Sequence, residues 1–307
     1  MNSESPFSSA QEQVLSWADR NGFSHWAVAM IWLVAVFIMF QLVAGLVVVG
    51  LIFATEGMVS AGELSELMLE RVDLLFIGNS VGQILFIGLA TFIVVKLNIG
   101  SETKRDFLRF KWHHHSLKFV VLGSVLIVVI QPVIVYLGFF NSALPIPESL
   151  TEIQVSQYQM IEDFLTRDGI ILFGLLNIAL IPAICEEILF RGYVLRAFEK
   201  SWGIITAIII SGIIFGLFHM QLGNLLPLAT LGVLLALMTW LSGSLWPAIV
   251  AHFVNNGAAV LVGVNFPELI FQDMSADMLP PVWILLMSII FTVAVIYVML
   301  NQSDQKK

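Results

Sequence analysis

Polar positions are the exceptions along this chain. Apolar runs recur with short polar breaks, and taking about 20 apolar residues as one membrane crossing marks eight candidate helices. They cover 26–53, 74–97, 117–140, 169–198, 202–222, 225–241, 245–264 and 280–300. The fold class expected is therefore an all-α integral membrane protein, a bundle of about eight transmembrane helices. The fourth run is longer than a bilayer needs and should project past the interface at its charged end. The sixth is the shortest, held between Asn224 and the Ser242-Gly243-Ser244 turn. Pro132, Pro182, Pro227 and Pro247 fall in or at the ends of these runs, where a missing N–H kinks a helix or frees a carbonyl.

Residues 1–25 are polar and lack the charged n-region and short apolar core of a cleavable signal peptide, so they are expected to form a cytoplasmic tail. The remainder divides into 26–168 (helices one to three with their loops), 169–264 (helices four to seven) and 265–307 (a loop, the last helix and a tail). Two loop segments, Glu63–Glu70 and Glu152–Leu165, mix acidic and apolar residues at near-helical spacing and read as interfacial helices packed on the bundle. No internal repeat supports a transporter of inverted halves.

Composition agrees. The chain is 58% hydrophobic and only 12% charged, against about 45–50% and 25% in globular domains. Cys185 is the only cysteine, which excludes an intrachain disulfide. No basic domain supports nucleic-acid binding. The net charge of −8 conceals a segregation. One set of loops holds 12 of the 14 Lys and Arg, and the alternate loops hold 13 of the 22 Asp and Glu. The Lys/Arg bias puts the first set in the cytoplasm. Both termini then lie inside a multi-pass plasma-membrane protein, as an even helix count requires.

Within the runs the polar residues form a short list. The fourth carries Asn177, Glu186, Glu187 and Arg191; the fifth ends in Phe215-Gly216-Leu217-Phe218-His219; the seventh holds His252-Phe253-Val254-Asn255-Asn256. Ionisable groups at such depth cost at least ~2.5–3.5 kcal/mol each and mark functional sites. If helices four and five form a hairpin turning near Lys200, Glu186 and His219 lie ~21 and ~28 Å from the turn at ~1.5 Å per residue, so they can meet. His252 and Asn256 rise to a similar depth on helix seven. Glu187 and Arg191 are i,i+4 and share a helix face. Glu186 points about 100° away and is left free for chemistry.

This set suits amide hydrolysis. Glu186 can take a proton from water, His219 can orient that water, and His252 with Asn256 can donate to an oxyanion. Alternatively, Glu186, His219 and His252 are the three protein ligands of a catalytic zinc. The spacing permits both and forms no H-E-x-x-H helix. Because an amide is a poor zinc ligand and Asn256 pairs with His252, the balance leans to a metal-free water. Other candidates take plainer readings. His113, His114 and His115 beside Trp112 read as an interfacial anchor, Cys185 as apolar packing, and Gly216, Gly223, Gly232, Gly243 and Gly257 as close-approach positions.

The run EEILFRG at Glu186–Gly192, then FGLFH at Phe215–His219, then GSLWPAIVAHFVNN at Gly243–Asn256, resembles the CPBP family of intramembrane endopeptidases, which includes the type II CAAX prenyl endopeptidases. The resemblance covers about 169–264. It implies catalytic positions at Glu186, His219, His252 and Asn256, supported by Glu187 and Arg191. It implies proteolysis of a membrane-associated protein or peptide, lipidated CAAX-like ones included, with zinc or no metal as cofactor; the cavity is expected among helices four to seven. The rivals are a non-catalytic scaffold or immunity protein and a proton-coupled transporter.

Overall fold

The computed structural model describes residues 14–270 and 279–303. The rest of the polar N-terminal tail, the acidic Asp273 and Asp277 and the basic Lys306 and Lys307 lie outside the described residues. Every apolar run is helical, and no strand occurs among the described residues.

The helices are α1 (His25–Glu56), α2 (Ala61–Glu70), α3 (Val72–Asn98), α4 (Ser116–Val129), α5 (Gln131–Ser142), α6 (Glu148–Leu165), α7 (Ile171–Trp202), α8 (Ile204–Phe218), α9 (Leu222–Ser242), α10 (Trp246–Asn265) and α11 (Val282–Gln302). Six of them (α1, α3, α7, α9, α10, α11) are long and apolar enough to cross a bilayer. The pair α4–α5 makes a seventh if its 46° bend is taken as one broken span. Pro132, the second residue of α5, sits at that bend and has no N–H to continue the ladder. The short crossing is not the sixth run, which a 3-10 turn extends back to Leu222, but the fifth. Helix α8 has 15 residues, about 22 Å of rise against a hydrocarbon core of about 30 Å. It is too short to cross alone and is not among the six or seven candidate spans.

The charge segregation corresponds to two physical ends. At the basic end Lys200 bonds the carbonyl of Asn98 at 3.1 Å and Glu102 at 2.6 Å, Arg109 pairs with Glu199 at 3.0 Å, and Ser244 donates to the carbonyl of Lys111. Burial, reinforced by Arg196 nearby, pulls the Arg109 guanidinium down to about 10 even with Glu199 beside it. This end is a packed ionic seam. At the acidic end Arg71 pairs with Glu56 and Asp73, Asn141 bonds the carbonyl of Leu222 and Tyr136 that of Pro280. Helices α2 and α6, the two loop segments expected to be helical, lie here. Helix α6 is anchored by Phe164, fully buried, whose ring meets Phe76 at 4.7 Å and Phe173 at 5.5 Å.

Helices α8 and α9 cross backbone to backbone. A Cβ on Gly232 would stand 2.7 Å from the carbonyl oxygen of Gly212, and one on Gly212 would stand 2.6 Å from the nitrogen of Val233. Neither neighbour is a flexible side chain, so the helices themselves would have to part. Gly212→Ala should lower stability by about 1–3 kcal/mol, the usual cost of overpacking. Thermal unfolding in detergent checks this; an unchanged midpoint would show that the crossing has slack.

Candidate active site

The site begins with the shape of α7. Its ladder is interrupted by wide turns at Leu175–Leu180 and Ile188–Val194, on either side of the regular stretch that begins with Ile181-Pro182 and ends with Glu186-Glu187. Wide turns of this kind are frequent at functional sites. The second brings Arg191 back under Glu187. All the expected polar residues except His219 and Asn256 are deeply buried: Glu187 0%, Arg191 1%, His252 4% and Glu186 8% exposed.

Two arrangements share this space. The first is a bonded network. Glu187 Oε1 accepts from Arg191 Nη1 at 2.7 Å and lies 2.8 Å from His252 Nδ1. Arg191 Nη2 donates to the carbonyl of Gly232 at 3.1 Å, and its guanidinium lies 4.2 Å from the centre of the Phe215 ring. A carboxylate oxygen only accepts, so His252 carries its proton on Nδ1 and presents a bare Nε2. Asn256 Nδ2 reaches that Nε2 at 3.2 Å and also bonds the carbonyl of Ile178. Helices α7, α9 and α10 are thereby tied at one depth.

The second arrangement is open. Glu186 points away from the network, as helix geometry predicts, and its Oε2 is buried without a protein partner. His219, the residue capping α8, gives its Nδ1–H to the carbonyl of Phe215 at 2.8 Å. Its Nε2 is then a bare acceptor, 3.8 Å from Glu186 Oε2. That gap is too long for a direct hydrogen bond and suits a bridging water. The hairpin of α7 and α8 thus brings Glu186 and His219 together as the depth argument anticipated.

Both line a cavity of about 600 Å³, and here the expectation needs correcting. The walls are not those of helices four to seven alone. They come mainly from α1 (Phe37 to Val48), α3 (Val72 to Ile87) and α6 (Gln157, Met160, Ile161), with the turn from Phe218 to Gln221. Helix α8 is too short to close the space, so neighbouring helices border it. A second void of about 40 Å³ lies across His219 and is lined by His252, Asn255 and Asn256. It has room for a water or a single oxygen substituent.

Two residues outside the expected set belong here. Asn255 donates to Asn256 Oδ1 and accepts from Gln131, which leaves one N–H of its amide without a protein acceptor among the described residues. Gln83, 5% exposed, lines the large cavity with an unpartnered Oε1. Asn79 and Gln83 are i,i+4 in an otherwise apolar run, a signal present in the sequence. The remaining candidates are peripheral. His113 lies at the basic end against the carbonyl of Gly243, with the rings of His114 and His115 in tilted contact, and Cys185 is buried against Gly88.

A zinc ion would need three protein ligands and an open position. Glu186 and His219 are available, but Glu187 and Asn256 occupy both ring nitrogens of His252. Among the described residues no three His, Cys, Asp or Glu side chains converge as a metal site. As arranged, the set Glu186, His219 and His252 does not fit zinc.

Residues 168–258 match the family of type II CAAX prenyl endopeptidases described as Rce1-like. This stretch, under a third of the chain, holds α7, α8, α9 and most of α10, hence every motif of the site, and its similarity is to the intramembrane proteases of that family. Nothing among curated proteins or solved structures matches the chain.

Glu187→Gln should destabilise the fold by about 3–5 kcal/mol, because it strands Arg191 as an uncompensated buried charge. Glu186→Gln, which breaks no protein hydrogen bond, should leave stability within about 1 kcal/mol of wild type. Unfolding of both variants in the same detergent decides; equal midpoints would remove the distinction drawn between the two carboxylates.

Proposed function

We propose that the chain is an intramembrane endopeptidase that hydrolyses a peptide bond of a membrane-associated protein or peptide with a water activated by Glu186. The observation that carries this reading is the unpartnered carboxylate of Glu186 facing the bare Nε2 of His219 across 3.8 Å at a cavity wall. A water between them gives one proton to Glu186 as its oxygen adds to the substrate carbonyl carbon. Glu186 then passes that proton to the departing amine as the C–N bond breaks. The developing oxyanion enters the small void, where Asn255, and Asn256 if it releases His252, supply N–H donors. Glu187 and Arg191 hold His252 and the wall of that void without touching substrate.

The same charge distribution supports a multi-pass plasma-membrane location with the basic end and both termini in the cytoplasm. Aromatic walls from Phe37, Phe40, Phe76 and Phe218 suit a substrate anchored in lipid.

Glu186→Gln and His219→Ala should each lower kcat by about 10²–10⁴, the usual contribution of a positioned proton-transfer group, with the protein still folded. Assays of purified variants on a wild-type substrate check this. Full turnover by Glu186→Gln would remove Glu186 from the chemistry; a cellular effect that survives Glu186→Gln without any cleavage would favour a scaffold or immunity role, and ion flux without peptide cleavage in proteoliposomes a transporter. Zinc content is a separate check. Active preparations should contain far less than one equivalent and resist chelators; stoichiometric zinc whose removal abolishes activity and whose return restores it would overturn the metal-free mechanism.

A further inference from the structure

The protease reading leaves open from which side a substrate arrives and what it looks like, and the cavity bears on both. The walls run from mid-bundle toward the acidic end: α1 from Phe37 to Val48, α3 from Val72 to Ile87, α6 from Gln157 to Ile161 and the turn after α8. Glu186, at its floor, stands midway along α7, about 22 Å from Ile171 at 1.5 Å per residue. Below that floor the bundle is solid. Phe190, Tyr193, Phe198, Phe107 and Leu108 are all fully buried between the site and the basic seam. Neither the large cavity nor the small void extends that way.

Charge then orients the opening. Arg20, Lys96, Lys104, Arg105, Arg109, Lys111, Lys118, Arg196 and Lys200 belong to the sealed end, while only Arg71 and Arg167 belong to the open one. By the Lys/Arg rule the sealed end faces the cytoplasm. The lining adds a chemical restriction. Among its residues Glu186 is the single charged group, accompanied by amides at Gln41, Asn79, Gln83, Gln157 and Gln221, with no Lys or Arg. A peptide ending three residues past the scissile bond would bring its carboxylate within about 10 Å of Glu186, with no cation to meet it. A buried, unpaired carboxylate near another is strongly disfavoured. Amides, by contrast, satisfy the N–H and C=O groups of a continuing backbone.

We propose that this cavity is loaded from the extracytoplasmic side and takes an internal, uncharged stretch of a membrane-anchored polypeptide rather than a chain end bearing a free carboxylate. The proposal rests on the protease reading, and its test separates the two.

The full chain, tagged after Lys307, is reconstituted in liposomes and sorted by whether added protease reaches the tag. The end of α11 docks at the basic end, where Ser303 bonds the carbonyl of Leu241, so a sheltered tag means that the acidic end faces outward. Two acyl-anchored peptides share one uncharged sequence; one continues to an amidated end, and the other stops with a free carboxylate three residues past the bond. Added outside, the amidated peptide should be cleaved only by vesicles with sheltered tags, and at least tenfold faster than its partner. Cleavage by exposed-tag vesicles, or preference for the free carboxylate, overturns the proposal while leaving a protease. No cleavage in either orientation or in detergent removes the protease reading and this inference with it. Access is also read without turnover. In right-side-out membrane vesicles an impermeant maleimide should label Gln157→Cys and Gln221→Cys but not Trp112→Cys, against the buried Cys185. The reverse pattern overturns the proposed side of entry.

Discussion

The site depends on one carboxylate held wholly inside the protein. Glu187 is completely buried and uses a single oxygen to hold both Arg191 and His252. Moving such charges out of water costs several kcal/mol per ion, which their mutual attraction offsets only when geometry and further hydrogen bonds are good. Here they are supplied by the carbonyl of Gly232 and by Asn256 on the far side of His252. The Phe215 ring completes the enclosure, within 4.2 Å of the guanidinium and 4.7 Å of the His219 ring centre. The bonds run from α7 to α9 and α10, and the ring contact brings in α8.

That enclosure explains why a second, adjacent carboxylate can stay unsatisfied. Glu186 differs from Glu187 by one residue and about 100° of helix rotation, yet one is consumed by structure and the other faces a cavity. The close crossing of α8 and α9 at Gly212 and Gly232 serves the same end. It sets the carbonyl of Gly232 within reach of Arg191 and limits how far α8 can slide. The short α8 then releases His219 at its terminus, at the depth of Glu186.

Much of this was legible in the chain. Apolar runs gave the helices because in lipid every backbone polar group must be satisfied within a helix. The i,i+4 pairs Glu187–Arg191 and His252–Asn256 followed from helical period alone, and equal rise along a hairpin paired Glu186 with His219. What was not legible has physical causes. Run length concealed the early end of α8, since the residues of its turn, Met220 and Leu222 among them, are themselves apolar. The cavity walls were missed because α1 and α6 contribute mostly Phe, Met and Ile, which read the same whether they face lipid, core or empty space. Asn255 looked like the neighbour of a motif residue, and only its bond to Gln131 of α5 shows why it points into the small void.

A division of labour follows from where the parts lie. The family match ends at residue 258 and begins at 168, so it encloses the ion pair, both histidines and both asparagines. The walls that a substrate would touch come largely from α1, α3 and α6, outside that span. A polar core held by desolvated charge tolerates little change, because each substitution strands a partner. Aromatic and amide walls tolerate a good deal, because their contacts are many and individually weak. On the proposed reading, reaction chemistry and substrate choice are therefore written in different segments of this chain, and the second can vary without disturbing the first.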